Sequence, residues 1–227
     1  MDDRPSQMNN QHCIVLLHGL ARTARSMAKM ASAFEVRGYC VVNLNYPSRR
    51  DSIENLSKFA LEEALRRCKV SPDEEQPGKI HFVTHSMGGI LLRHYLAHHK
   101  IPNLGNSVLI APPNQGSEVV DKLGKVPGFK LFNGPAGMQL GTDDKAIPRS
   151  LGPVDFHVGI IAGSRSINPL LSINLPKPND GKVSVQSTRV EGMADFIECP
   201  LNHTFIMRNK NVIKQTILFI ETGRFEH

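Results

Sequence analysis

Ser86 lies in the hexapeptide Thr84-His85-Ser86-Met87-Gly88-Gly89, between a β-rich run from Ile80 to Thr84 and a helix-like run from Ile90 onward. A serine at such a strand-to-helix turn has an exposed hydroxyl, and the next residue's N–H faces developing negative charge. The pattern that produces this turn is Gly-x-Ser-x-Gly, because small residues two before and two after the serine let strand and helix approach. Gly88 meets that need and Gly89 adds room where the helix packs, while Thr84 stands in place of the first glycine. A serine hydroxyl alone is a weak nucleophile. It needs a base to take its proton and an acid to orient that base.

The elements that must bring such partners together are legible as alternating strand-like and helix-like segments, which predict an α/β protein with a parallel sheet. Cys13 to Leu17 is a continuous apolar run, as expected of a strand covered on both faces, and it ends in His18-Gly19-Leu20. A helix is predicted from Thr23 to Val36, stopped by Gly38, then a strand from Cys40 to Leu44. Ser52 caps a helix striped by Ile53, Leu56, Phe59, Ala60 and Leu65, and Pro72 to Gly78 reads as a charged loop. The strand delivering Ser86 is followed by a helix from Met87 to His98 and a strand from Ser107 to Ala111. Residues 112–151, rich in Gly and Pro with short apolar clusters, read as an insertion over the site. Strands at Phe156–Ala162 and Phe196–Cys199 and a closing helix at Lys210–Thr222 complete the chain. The expected architecture is a three-layer α/β/α sandwich with about six mainly parallel strands. It forms one domain over residues 1–227, with residues 1–11 as a polar arm.

In an open parallel sheet, reacting groups gather beyond the carboxyl ends of the strands. That rule sorts the acids. Asp155 and Asp195 precede their strands and lie at the wrong end, and Asp143 and Asp144 fall in the insertion. Asp180, in Pro178-Asn179-Asp180-Gly181, follows the fifth strand in a defined turn; the competing reading is an aspartate bonding its own turn. Of the ten histidines, His12, His81 and His157 begin strands, and His94, His98 and His99 ride on the helix after the serine. His94 and His98 are one turn apart, but no third ligand has matching spacing, so no metal is expected. His203 alone follows a strand by a short loop, Pro200-Leu201-Asn202, at the correct end. The expected triad is Ser86, Asp180 and His203, with oxyanion donors at the N–H groups of Met87 and Leu20. His18, Gly19 and His85 are expected near substrate.

The chain resembles the α/β-hydrolase superfamily, in particular small lipase- or esterase-like members with a reduced cap. The resemblance rests on His18-Gly19-Leu20, His85-Ser86-Met87-Gly88-Gly89, Pro113-Asn114-Gln115-Gly116-Ser117, Asp180 to Val185 and Asn202-His203, in the family's order of nucleophile, acid and histidine. It implies hydrolysis of a carboxylic ester through an acyl-enzyme, without metal or organic cofactor. The same triad also serves thioesterases, amidases and acyltransferases, and a non-catalytic hydrolase-like binding protein is the alternative of another class. There is no room before Cys13 for the family's two leading strands, so the sheet should be trimmed. Phe129, Leu131, Phe132, Met138 and Leu140, with Pro169-Leu170-Leu171, are candidates for an acyl pocket or for packing on the sheet.

The formal net charge of +6 comes from dispersed basic residues without interleaved aromatics, so nucleic acid is not an expected partner. A small-molecule or lipid ester is expected, with weak attraction to anionic membrane surfaces as a secondary option. The four cysteines, Cys13, Cys40, Cys68 and Cys199, lack disulfide-framework or metal spacing and read as free buried thiols. A Cys13–Cys40 disulfide is the alternative if their strands are neighbours. Free thiols point to the cytoplasm; the polar first ten residues do not read as a signal peptide, and secretion after removal of a leader is the alternative.

Overall fold

The computed structural model describes residues 11–68, 78–124, 126–167, 172–173 and 175–227. Six parallel strands, β1 (Cys13–Leu17), β2 (Cys40–Leu44), β3 (Ile80–His85), β4 (Leu104–Ile110), β5 (Val158–Gly163) and β6 (Asp195–Cys199), form one sheet in the order β2-β1-β3-β4-β5-β6. Side chains alternate across the pleat. Cys13, Val15 and Leu17 enter the core on one face, and Ile14 and Leu16 enter the core on the other. The first face is covered by α2 (Ile53–Arg67) and α3 (Met87–His98), the second by α1 (Ala28–Glu35) and α8 (Lys210–Thr222).

Local chemistry accounts for most element ends. Ser52 Oγ accepts the N–H of Asn55 at the start of α2, and Asn209 caps α8 by accepting from Asn211 and Val212. Gly223, at φ 78°, closes α8 in the left-handed conformation that favours glycine. The first helical segment departs from expectation: a 3₁₀ turn over Ala24–Met27 precedes the α-helix, which starts only at Ala28. Neither Thr23 nor Met27 caps its helix with a side-chain hydrogen bond; Asn45 Oδ1 accepts the Ala24 N–H instead. The fourth strand begins three residues earlier than the apolar run suggests, because Leu104 pairs with Ile80 before a register shift that carries the ladder past Gly105-Asn106 to Ser107 opposite Phe82.

The sheet order reverses between β1 and β3, since β1 leads by way of α1 to β2 on one side and the chain then returns to β3 on the other. The carboxyl ends of β1 and β3 therefore meet at the crevice where open α/β sheets place their ligands. Leu17 and Thr84 are register partners there, which sets His18-Gly19-Leu20 beside Ser86.

The insertion contains α4 (Glu118–Leu123), α5 (Phe129–Met138) and the short α6 (Ile147–Ser150), and one further short helix, α7 (Val185–Thr188), lies between β5 and β6. Helix α5 breaks at Gly134, whose φ of 69° is followed by Pro135. A Cβ on Gly134 would stand 1.9 Å from the Arg49 carbonyl oxygen, so the insertion docks on the loop after β2 backbone to backbone. Both ends of the insertion are fastened by Arg93 of α3, which is 4% exposed. Its guanidinium donates to the Asn114 carbonyl (3.2 Å), Asn114 Oδ1 (3.1 Å), the Pro148 carbonyl (3.3 Å) and the Gly152 carbonyl (2.6 Å). With no anion beside it, burial pushes Arg93 down to about 10.

The cysteine reading is overturned in part. Cys13 and Cys68 form a disulfide with Cα atoms 5.8 Å apart, while Cys40 and Cys199 are free. Cys13 and Cys40 are indeed register neighbours, yet side chains paired across a parallel ladder run alongside each other instead of converging. Cys68, at the C-terminal cap of α2, reaches the strand from the helix layer. Closing a loop of 55 residues restricts the unfolded chain by about 4 kcal/mol at most. The argument for a cytoplasmic location from free thiols falls with that correction. Among the described residues no helix is long and apolar enough to cross a membrane. The expected Pro72–Gly78 loop lies largely outside the described residues, as do the polar arm, except for Gln11, and Pro169-Leu170-Leu171.

Candidate active site

Ser86 is held in a turn that the sequence makes possible residue by residue. Its backbone has φ 53° and ψ −125°, a strained conformation for a residue with a side chain, and its N–H donates to the Ile110 carbonyl at 2.9 Å. A Cβ on Gly88 would lie 2.7 Å from the Leu17 carbonyl oxygen, so only glycine lets the start of α3 pass beneath the end of β1. Thr84 in place of the first glycine has a local explanation. Its Oγ1 lies 3.1 Å from where a Cβ on Gly89 would stand, so the bulk added at one position is accommodated by the extra glycine.

His203 Nε2 is 3.0 Å from Ser86 Oγ, and His203 Nδ1 is 2.7 Å from Asp180 Oδ2. Asp180 is 2% exposed and divides its oxygens. Oδ2 takes the imidazole, while Oδ1 accepts the N–H groups of Lys182 (2.9 Å) and Val183 (2.8 Å). Asp180 thus bonds its own turn and His203 together. The turn is further tied by Asn179 Oδ1 accepting the N–H of Gly181, whose φ is 95°. The His203 N–H donates to the Asp180 carbonyl at 3.1 Å, so backbone and side chain both lock the pair. Asp195 stands at the opposite end of the sheet, accepting from Phe196 and Phe225 N–H groups and pairing with His227.

The first-strand loop packs against the serine: a Cβ on Gly19 would fall 3.0 Å from Ser86 Cβ. The N–H groups of Leu20 and Met87 have no protein acceptor among the described residues. His18 is not brought to the pocket. It is fully buried and stacks on Tyr46 at 4.1 Å. Tyr46 N–H donates to its Nε2 (3.3 Å), which puts the proton on Nδ1, donating to the Gly19 carbonyl (2.9 Å). The Tyr46 hydroxyl donates to the His18 carbonyl. His18 thus braces the loop from beneath, and burial holds its imidazole below the ordinary histidine value. His85 is also buried, and its Nε2–H donates to the His203 carbonyl at 3.0 Å. Burial and the neighbouring His203 keep His85 well below its ordinary value, so it stays neutral.

A cavity of about 450 Å³ opens at Ser86 and His203. Its walls are Leu20, Val119, Val120, Leu123, Phe129 and Leu140, joined by Phe132 and Val183. Of the expected acyl-pocket residues, Phe129, Phe132 and Leu140 line it. Leu131 is 89% exposed and points elsewhere, and Met138 packs near Gly124. Two residues to which the sequence assigns no role at the site, Arg22 and Lys182, also line the cavity. Each is two positions from a residue singled out in the sequence, Leu20 and Asp180, and sequence gives no sign of which way their side chains run. Lys182 borders the cavity with its side chain exposed. Desolvation and the charge of Arg22 push its ammonium down, against the pull of Asp180.

Residues 14–175 match the model of the alpha/beta hydrolase family, which covers well over half of the chain. The chain belongs to that family. Solved structures carry the same fold. The mature lipase BlEst2 of Bacillus licheniformis superposes with a TM-score of 0.67 at 18% identity, over 97% of this hydrolase and 94% of that chain. The product of gene lin2722 of Listeria innocua gives 0.59 at 19%, over 96% of both chains. Phospholipase PlaB of Legionella pneumophila, in complex with thio-NAD, gives 0.68 at 16%, over 91% of this hydrolase and 56% of that chain. This hydrolase therefore spans little more than half of the phospholipase. No curated protein sequence matches it.

Proposed function

We propose that the protein is a serine hydrolase that cleaves carboxylic esters through an acyl-enzyme. The observation that carries this reading is His203, which bridges Ser86 Oγ at 3.0 Å and the buried Asp180 at 2.7 Å. In the proposed reaction Ser86 Oγ attacks the ester carbonyl carbon and its proton passes to His203 Nε2. Asp180 fixes the Nδ1–H tautomer and stabilises the imidazolium. Negative charge grows on the carbonyl oxygen, where the N–H groups of Leu20 and Met87 receive it. The tetrahedral adduct collapses, and the alcohol leaves with the proton from His203. Water then attacks the acyl carbon, gives a proton to His203, and the acid departs as Ser86 recovers its hydrogen.

The apolar walls suit an acyl chain, and hydrolysis of an ester needs nothing beyond these groups and water. Thioesters and amides would use the same residues, so the acyl donor is a matter for the assay. A fluorophosphonate probe should label Ser86, and Ser86→Ala should lose both labelling and turnover of 4-nitrophenyl butyrate, by about 10⁶-fold in kcat. An unlabelled, inactive wild-type protein would end the enzymatic reading and leave a binding protein.

A further inference from the structure

Arg22 and Lys182 line the same cavity as Ser86, and among the described residues lining it there is no aspartate or glutamate. Neither side chain has an ion-pair or hydrogen-bond partner among the described residues. The acid that acts on Lys182 is Asp180, and both of its oxygens are already engaged, by His203 and by two turn N–H groups. Their backbones are fixed. Arg22 N–H donates to the Gly19 carbonyl at 3.2 Å, in the turn that carries Leu20. The Lys182 carbonyl accepts from Ser117 Oγ at 2.8 Å, and its N–H holds Asp180. Two cations are thus mounted on the turns beside the serine, one on the oxyanion loop and one on the acid turn, each with a free head group.

An apolar concavity strengthens the field of such charges, and among the described lining residues no carboxylate neutralises either of them. Two like charges placed within mutual influence, whose acidic neighbour among the described residues, Asp180, is already engaged by His203 and the turn, suit a ligand carrying negative charge. The division of the cavity says where on the ligand it sits. Val119, Leu123 and Phe129, from the insertion, form the apolar part, which takes the acyl chain. The alcohol part of the ester is left beside the two turns.

We propose that Arg22 and Lys182 form an oxyanion subsite and that the preferred substrate is a fatty acyl ester whose alcohol carries a phosphate monoester. The proposal rests on the ester-hydrolase reading above. A dianionic phosphate matches two cations better than a single carboxylate does, and the planar guanidinium can hold two of its oxygens.

The test compares kcat/KM for 1-octanoylglycerol 3-phosphate and 1-octanoylglycerol, both below their critical micelle concentrations, with the ratio as the readout. Wild type should favour the phosphate ester by roughly 10- to 100-fold, and raising salt from low to molar ionic strength should shrink the ratio. Arg22→Gln with Lys182→Gln should bring the ratio near one, whereas Lys182→Arg should keep most of it. Because the ratio is taken within one variant, a general loss of folding or turnover cancels. As a readout independent of turnover, Ser86→Ala should bind octyl phosphate more tightly than octanol, and the double charge removal should abolish that difference. A wild-type ratio near one with both esters hydrolysed overturns the subsite and leaves the esterase reading standing. Failure of both esters and of fluorophosphonate labelling overturns both.

Discussion

Ser86, His203 and Asp180 rest on buried strand ends and turns, whereas the insertion that walls the cavity leaves Leu131, Phe132 and Val126 exposed by 89, 65 and 49%. On the floor Ser86, His203 and Asp180 are joined by hydrogen bonds. The Asp180 carboxylate alone accepts three hydrogen bonds, and His18 uses both ring nitrogens to hold the loop after β1. The wall is apolar, interrupted by a kink at Gly134-Pro135, and tied down at its ends by one buried arginine. The contrast separates two jobs. Catalytic groups need positions fixed to fractions of an ångström, which hydrogen bonds provide, while an apolar wall needs only volume and shape.

The largest expected effect breaks the floor. Asp180→Asn should cut kcat for 4-nitrophenyl butyrate by about 10⁴-fold, because the imidazole loses its orienting carboxylate. Asp195→Asn, at the far end of the sheet, should leave kcat within a few-fold, and steady-state rates of the two variants decide it. Equal losses would mean that floor and far end are not distinct.

Arg93→Met attacks the joint between floor and wall. It strands carbonyls of Asn114, Pro148 and Gly152 and should lower unfolding stability by about 2–4 kcal/mol, measured in urea. The insertion should become more susceptible to proteolysis than the strands, and uniform susceptibility would remove the separation.

Acid should weaken the molecule from its buried histidines. His18, His81 and His85 all titrate below the ordinary 6.5 in the folded chain, His81 at about 4, with burial as the main cause. A depressed histidine leaves stability intact above about 6.5 and loses it as pH falls, because the unfolded chain takes the proton first. For His81 the loss should run from about 6.5 down to about 4, at about 1.4 kcal/mol per pH unit. His81→Gln should flatten part of that slope in urea titrations across this range.

The smallest effect sharpens the wall. Leu123→Ala should reduce kcat/KM for a decanoyl ester by about 10-fold while changing an acetyl ester little, since about 1–3 kcal/mol of apolar contact is lost only with the long chain. Equal losses on both esters would place Leu123 in the floor's support instead.

Local signals carried far in this chain. The strand-to-helix turn at Ser86, the Asn-Asp-Gly turn at Asp180 and the loop before His203 could be assigned because strand polarity alone tells which end of the sheet a flanking residue occupies. The cap at Ser52 and the helix from Met87 to His98 follow from propensity and period over neighbouring residues. His18 was misread for the same reason: adjacency to Gly19 suggests the cavity, but the ring turns inward because Tyr46, 28 positions away, offers it an N–H and a stacking face.

The amino-acid sequence by itself determined the alternation of strands and helices, the tight turn at the serine and the chain order Ser86, Asp180, His203, since each depends on residues close in the chain. Tertiary structure decided the pairings between distant segments. Cys13 could join Cys40 or Cys68, and helix packing chose Cys68. Arg22 and Lys182 are separated by most of the chain, and only the meeting of two turns at Ser86 makes them neighbours. The physical reason is that side-chain direction and partner choice depend on which surfaces fold together, which no local pattern encodes.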